Sequence, residues 1–198
     1  MSDAENPKKK PIKKKPPKEV TAARLREQAL RYLDRFSATT HKMKRHLLTK
    51  NREAISFHDQ DIETISLQID ELITKLEKAG ILNDQLYAES KARSMARQGK
   101  SFRQIEGKLY TLGITDNQKD QAIEELTNTE GHSDRVGAAK FIRRRRFGPY
   151  KTTPDRSERR DKELLSLVRN GFDYGLAGAL LDLESIEEIA DIIYHNIK

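Results

Sequence analysis

Residues 84–126 read DQLYAESKARSMARQGKSFRQIEGKLYTLGITDNQKDQAIEEL, and the punctuation of this stretch decides the fold. Tyr87, Ala88, Ala92 and Met95 recur at three- and four-residue spacing, the period of one helix face. Gly99-Lys100-Ser101 interrupts the pattern. Glycine suits the left-handed position just past a helix end, and Ser101 with Gln104 three residues on forms a capping box for a second helix. That helix carries Ile105, Leu109 and Leu112 on one face and closes at Gly113-Ile114. Thr115 and Gln118 make another capping box, after which Ala122, Ile123 and Leu126 stripe a third helix. Helices this short are marginal alone in water, so the three must fold by packing on one another.

The unit recurs on both sides. Thr39, Met43, Leu47 and Asn51 stand 62 positions before Ser101, Ile105, Leu109 and Gly113, and the same shift sets Leu30 on Ala92 and Leu33 on Met95. Further on, Leu167 and Gly171-Phe172 followed by Asp173 repeat Leu109, Gly113-Ile114 and Thr115. Gly80-Ile81, with Asn83 as a cap, makes the same stop and restart ahead of Asp84. The expected fold is all-α: an elongated, curved array of three tandem three-helix repeats, about nine helices in total. The expected divisions are a basic tail without structure over 1–20, then repeats over 21–82, 83–130 and 131–198, the last with an acidic amphipathic C-terminal extension.

Composition agrees with slim helical layers. Hydrophobic and charged residues each make up 35% of the 198, and no alternating β-branched run supports a strand. The absence of cysteine excludes disulfides and thiolate metal sites and fits a reducing compartment. No apolar run is long enough for a membrane span and no signal-peptide core opens the chain, so a cytoplasmic address without membrane contact is expected. The net charge of +7 favours an anionic partner, but residues 1–20 alone carry seven lysines against three acids, leaving the rest mildly basic. That lysine- and proline-rich segment cannot bury enough apolar area to order itself. It reads as a solubilising tail or as a nonspecific electrostatic arm.

Helices are expected over 22–36 and from Thr39 to about Lys50, then a long loop over 51–60. A strong helix follows over 61–79, with Ile62, Ile65, Ile69, Leu72, Ile73 and Leu76 on one broad face. After a linker at 128–134, a helix runs into Arg143-Arg144-Arg145-Arg146 and breaks at Gly148-Pro149. A loop over 150–156 leads to a helix over 158–170. Residues 173–196 then form one or two helices with Leu176, Leu180, Leu183, Ile186, Ile189 and Ile193 inward.

No constellation supports catalysis, a cofactor or a metal. His41, His46, His58, His132 and His195 show no ligand spacing, and the neighbours in His58-Asp59-Gln60-Asp61 cannot converge on one substrate. Glycine–lysine phosphate loops are absent. The arginine run is the sharpest local feature. Successive helical residues turn by about 100°, so four sweep too wide an arc for all to face solvent, and Arg145 falls nearest the buried stripe. It reads either as a solvated cluster with one snorkelling member or as part of a cationic strip. The strip would comprise Arg143, Arg144 and Arg146 with Lys140, Lys151, Arg156, Arg159 and Arg160. Guanidinium forks suit phosphate or carboxylate recognition, and the spacing does not distinguish DNA from an acidic protein. Arg93, Arg97, Arg103 and Lys108 on the middle unit are the alternative contact surface.

Several of these residues resemble the RecX family of bacterial regulators of the RecA recombinase. They are Ala29-Leu30 and Leu33, the turn Gly80-Ile81-Leu82-Asn83-Asp84, Tyr87-Ala88, Gly99 with Ser101, Leu109 with Gly113-Ile114, and Leu164, Leu167 and Gly171-Phe172. The likeness runs from about Ala22 to Leu183; Asn51 in place of glycine and the two charged ends depart from it. The resemblance implies a curved three-repeat array that binds RecA as a monomer in the groove of the RecA–DNA filament and limits its growth and activity. Read from the residues alone, direct binding of single- or double-stranded DNA without RecA stays open.

Overall fold

The computed structural model describes residues 16–151 and 155–195, and for Asp155 the backbone only. Among them are ten α-helices, one 3-10 turn at Gly148–Tyr150, and no strand. The helices are α1 Ala22–Leu33, α2 Thr40–Phe57, α3 Ile62–Lys78, α4 Asp84–Arg97, α5 Phe102–Thr111, α6 Asp116–Glu130, α7 Asp134–Arg145, α8 Asp155–Arg169, α9 Tyr174–Leu181 and α10 Ile186–His195. Starts are set by side-chain caps. Thr21, Thr39, Asn83, Ser101, Thr115, Ser133 and Asp173 each accept the N–H three residues on, and Thr115 with Gln118 closes a full capping box. Each such cap stabilises its helix by about 1 kcal/mol.

The helices form three bundles, each around its own apolar cluster. Leu25, Met43, Leu47, Ile65 and Ile69 centre the first (α1–α3) and Ala88, Ala92, Ile105, Leu109 and Leu126 the second (α4–α6). Phe141, Ile142, Leu167, Leu181 and Ile189 centre the third (α7–α10), where the C-terminal stretch resolves into two helices. A fully buried leucine or isoleucine gains about 1.5–3 kcal/mol, so each bundle has a core sufficient to direct its own packing.

The bundles are joined by a junction that occurs twice. At the first, the Thr39 hydroxyl donates to the Leu112 carbonyl at 2.7 Å while it caps α2. The Thr40 N–H and hydroxyl donate to the two carboxylate oxygens of Asp84, the first residue of α4, at 2.9 and 2.7 Å. At the second, the Ser101 hydroxyl caps α5 and donates to the Asn170 carbonyl at 2.7 Å. The Phe102 N–H donates to Asp134, the first residue of α7, at 2.8 Å. Leu112 and Asn170 immediately precede Gly113 and Gly171, whose φ values are +77° and +88°. A Cβ on Gly113 would lie 2.4 Å from His41 Cβ, and one on Gly171 2.6 Å from Ser101 Oγ and 3.3 Å from Arg103 Cβ. Glycine is needed at both places twice over, for the left-handed backbone and for the close approach of the preceding bundle.

That explains a correction at Asn51. The helix does not stop near Lys50 but continues to Phe57: among the described residues no bundle presses on Asn51 as His41 does on Gly113 and Ser101 on Gly171. Asn51 is 1% exposed and exchanges two hydrogen bonds with Gln28 at 2.7 and 3.1 Å, so its amide is satisfied where a glycine stop was expected. Of the segment expected to lack structure, residues 1–15 lie outside the described residues, and 16–20 depart from the expectation. Val20 is buried and its backbone exchanges two bonds with the Gln60 side chain. His58 meets the Pro17 carbonyl at 2.7 Å, and Arg24 donates to the Lys18 and Glu19 carbonyls. Ile62, Leu30 and Ile186, expected inward, are exposed; Ile62 and Ile186 are the first residues of their helices, where the apolar stripe has not yet met its partner.

Candidate basic interaction surface

Ser133 starts α7, whose residues Val136, Ala138, Ala139, Phe141 and Ile142 are buried, and the arginine run occupies its last turn. The helix does not continue through the run. It ends at Arg145, and Arg146 takes the left-handed cap conformation (φ 56°, ψ 48°), so all four arginines are exposed, Arg145 among them. The guanidinium groups of Arg144 and Arg145 instead lie 5.3 and 5.8 Å from the Phe141 ring centroid. Cations in a last helical turn also meet the negative end of the helix dipole, which accounts for part of their presence without any partner.

Contacts of these side chains define a cluster with the end of α4. Arg144 donates to the carbonyl of Gln98, just past α4. Arg143 donates to the Tyr194 hydroxyl at 2.7 Å, with its guanidinium 5.5 Å from that ring. Burial, then the charge of Arg143, holds the half-buried Lys140 ammonium below its usual pKa; Arg97 adds to this and Glu130 opposes it. Glu130 also faces Arg97 at 3.8 Å. Arg97 and Lys140 therefore share the Glu130 carboxylate, with Arg143 beside Lys140 and Arg144 at the end of α4.

The second arginine group turns elsewhere. Arg156 donates to the Leu181 and Leu183 carbonyls at 2.8 and 2.5 Å, satisfying the end of α9. Arg160 forms a two-pronged pair with Asp182 at 2.5 and 2.6 Å, which raises its own pKa and lowers that of Asp182. Lys151 pairs at 3.3 Å with the buried Glu163, which also accepts the Gly148 N–H at 2.8 Å. These groups surround a cleft of about 430 Å³ between α8 and α9 rather than extending the run, and Arg159 is exposed on α8. On the middle bundle, Arg93 is half-buried, Arg103 flanks the Gly171 junction and Lys108 is exposed late in α5. Tyr194 and Glu130 were not among the expected site residues. The only sequence signal for Tyr194 was an aromatic residue off the apolar stripe of the last helix.

No family model matches the chain. Among curated relatives it is 34% identical over 176 residues to the regulatory protein RecX of Myxococcus xanthus, covering 88% of this chain and 93% of that protein. It is 36% identical over 112 residues to the regulatory protein RecX of Agrobacterium fabrum, covering 57% of each. Among solved structures, RecX from Lactobacillus salivarius superposes with a TM-score of 0.56 at 22% identity, over 85% of this chain and 96% of that one. A second structure of regulatory protein RecX superposes with a TM-score of 0.58, over 82% and 72%. The structures share the helical fold, and the first relative shares sequence over nearly its whole length: the chain belongs to the RecX family of regulatory proteins.

Proposed function

We propose that this protein binds the RecA recombinase assembled on DNA and limits the growth and activity of that filament in DNA repair and recombination. The observation that carries the surface is the concentration of cations where α4 meets α7: Arg97, Lys140, Arg143 and Arg144. Such a concentration leaves a field that an acidic protein surface or a DNA phosphate would complete. The action is steric and electrostatic, with no chemistry of the protein's own. A monomer lying across successive RecA protomers in the cytoplasm would oppose addition of the next one. In this reading the three bundles are copies of one repeat, spanning 21–82, 83–130 and 131–198. No helix among the described residues is long and apolar enough to cross a membrane, so the reading needs no membrane anchor.

The test replaces Arg143, Arg144 and Arg146 with glutamine, which keeps hydrogen-bonding ability and removes three charges. The variant should fold with unchanged helicity and lose most inhibition of RecA ATPase and strand exchange. Parent-like inhibition would remove the surface from the reading, and failure of the parent protein to retain RecA in a pull-down would remove the partner. Tight binding to naked DNA at physiological salt, falling steeply as salt rises, would favour a direct nucleic-acid module instead.

A further inference from the structure

The two junctions also differ where the end of one bundle's first helix meets the first helix of the next. At the second, a Cβ on Gly99 would lie 2.9 Å from Lys140 Cβ and 3.0 Å from the Gly137 carbonyl oxygen. Arg144 reaches the Gln98 carbonyl, and α4 packs on α7. Counted from the first residues of α4 and α7, Tyr87, Ser90 and Ser94 take the places of Gly137, Lys140 and Arg144. The connection from α1 to α2 runs over 34–39, two residues longer than the one over 98–101. Ser37 stands two residues before Thr39, as Gly99 stands before Ser101, and it carries the Cβ that Gly99 lacks. The first contact therefore does not close. It leaves a cleft of about 550 Å³ whose walls include Leu33, Phe36, Ile81, Leu86, Tyr87 and Lys91. Phe36, Ile81 and Leu86 are 55%, 49% and 59% exposed, large values for apolar side chains grouped in one concavity. No carboxylate lines it, and Lys91 has no ion pair among the described residues.

We propose that this cleft docks an acidic, apolar-faced segment of a protein partner. Its apolar side chains enter between Phe36, Ile81 and Leu86, and a carboxylate pairs with Lys91. Charge decides the class of occupant: the cleft offers apolar walls and a lone cation, which an acidic segment neutralises and a basic one would oppose. The site uses no residue of the arginine cluster and stands whether or not that surface contacts RecA.

The experiment titrates the isotope-labelled full chain with a short synthetic helical peptide bearing leucines on one face and glutamates on the other. A second peptide with lysines replacing the glutamates is the control. Amide shifts are expected at Phe36, Ile81, Leu86 and Lys91 with the acidic peptide only, and Lys91→Glu should reverse the preference. Ile81→Glu with Leu86→Glu, which set carboxylates among the exposed apolar walls, should weaken binding of the acidic peptide by roughly tenfold with unchanged thermal unfolding. Absence of shifts, equal affinity for the lysine peptide, or acidic-peptide binding untouched by the two glutamates would overturn the proposal. The same shifts induced by oligothymidylate and not by peptide would assign the cleft to nucleic acid. Shifts that grow with protein concentration alone would assign it to a second copy; either result also overturns it.

Discussion

Gly113→Ala tests the junction most directly. At φ +77° an L-residue bears about 1–2 kcal/mol of backbone strain. The added methyl would also sit 2.4 Å from His41 Cβ and 2.6 Å from its Cγ, where carbon atoms prefer about 3.5–4.0 Å. One of the two bundles must shift by about an ångström, an overpacking cost of about 1–3 kcal/mol. The total is about 2–5 kcal/mol, or roughly 6–15 °C in midpoint for a chain of this size. Gly80→Ala supplies the reference: φ is +69° there, but nothing lies within 4 Å of the new methyl, so strain alone acts and the loss is about 1–2 kcal/mol. Urea unfolding followed by far-UV circular dichroism measures both. His41→Gly removes the opposing atoms at about 0.3–0.5 kcal/mol in helix propensity, so combining it with Gly113→Ala should cost less than the sum of the single changes. If Gly113→Ala destabilises no more than Gly80→Ala, or if His41→Gly leaves its cost unchanged, the glycine serves only the turn and the reasoning about bundle contact fails.

Ser101→Asp keeps a good isolated N-cap but sets a carboxylate against the Asn170 carbonyl that the hydroxyl now reaches at 2.7 Å, so urea titration should show a loss of about 2–4 kcal/mol despite the conserved capping ability. Burial, with Lys140 second, pushes the His132 imidazole down to about 4, whereas the unfolded chain takes up its proton near 6.5. The neutral form is thus the folded one: its contribution is full above pH 6.5 and falls by about 3 kcal/mol as pH drops to 4, and His132→Gln should flatten that part of a stability–pH curve. Solution scattering of a variant lacking residues 1–15 should give a radius of gyration clearly above the roughly 16 Å of a compact chain of similar length; a compact value would contradict an array.

What could be read from the residues was local. Glycine stops at Gly99, Gly113 and Gly171 and caps at Thr39, Ser101 and Thr115 each have a partner within a few residues, and they placed most helix boundaries. The couplings between bundles escaped because the same atoms serve two purposes. Thr39 and Ser101 cap their helices and Asp84 and Asp134 open theirs, while the bonds that join the bundles link residues 32–73 positions apart. No periodicity encodes such a partner. The arginines divide in the same way. The run on α7 was visible as composition, but only the unsatisfied carbonyls at the end of α9 and the charge of Asp182 reveal that Arg156 and Arg160 face the protein itself.

The doubled junction also bears on head-to-tail assembly. A molecule whose one end complements its other end can add copies head to tail, and an interface that does not close on itself grows into a fibre. Here the surface that receives a preceding bundle consists of an aspartate opening the first helix and a glycine ending the second. The first bundle has neither: α1 opens on Ala22, and Asn51 sits inside an unbroken helix. Any incoming hydroxyl and amide would find no carboxylate, and a side chain where a gap is required. The coupling that fastens bundles within the chain therefore has no counterpart on its first face.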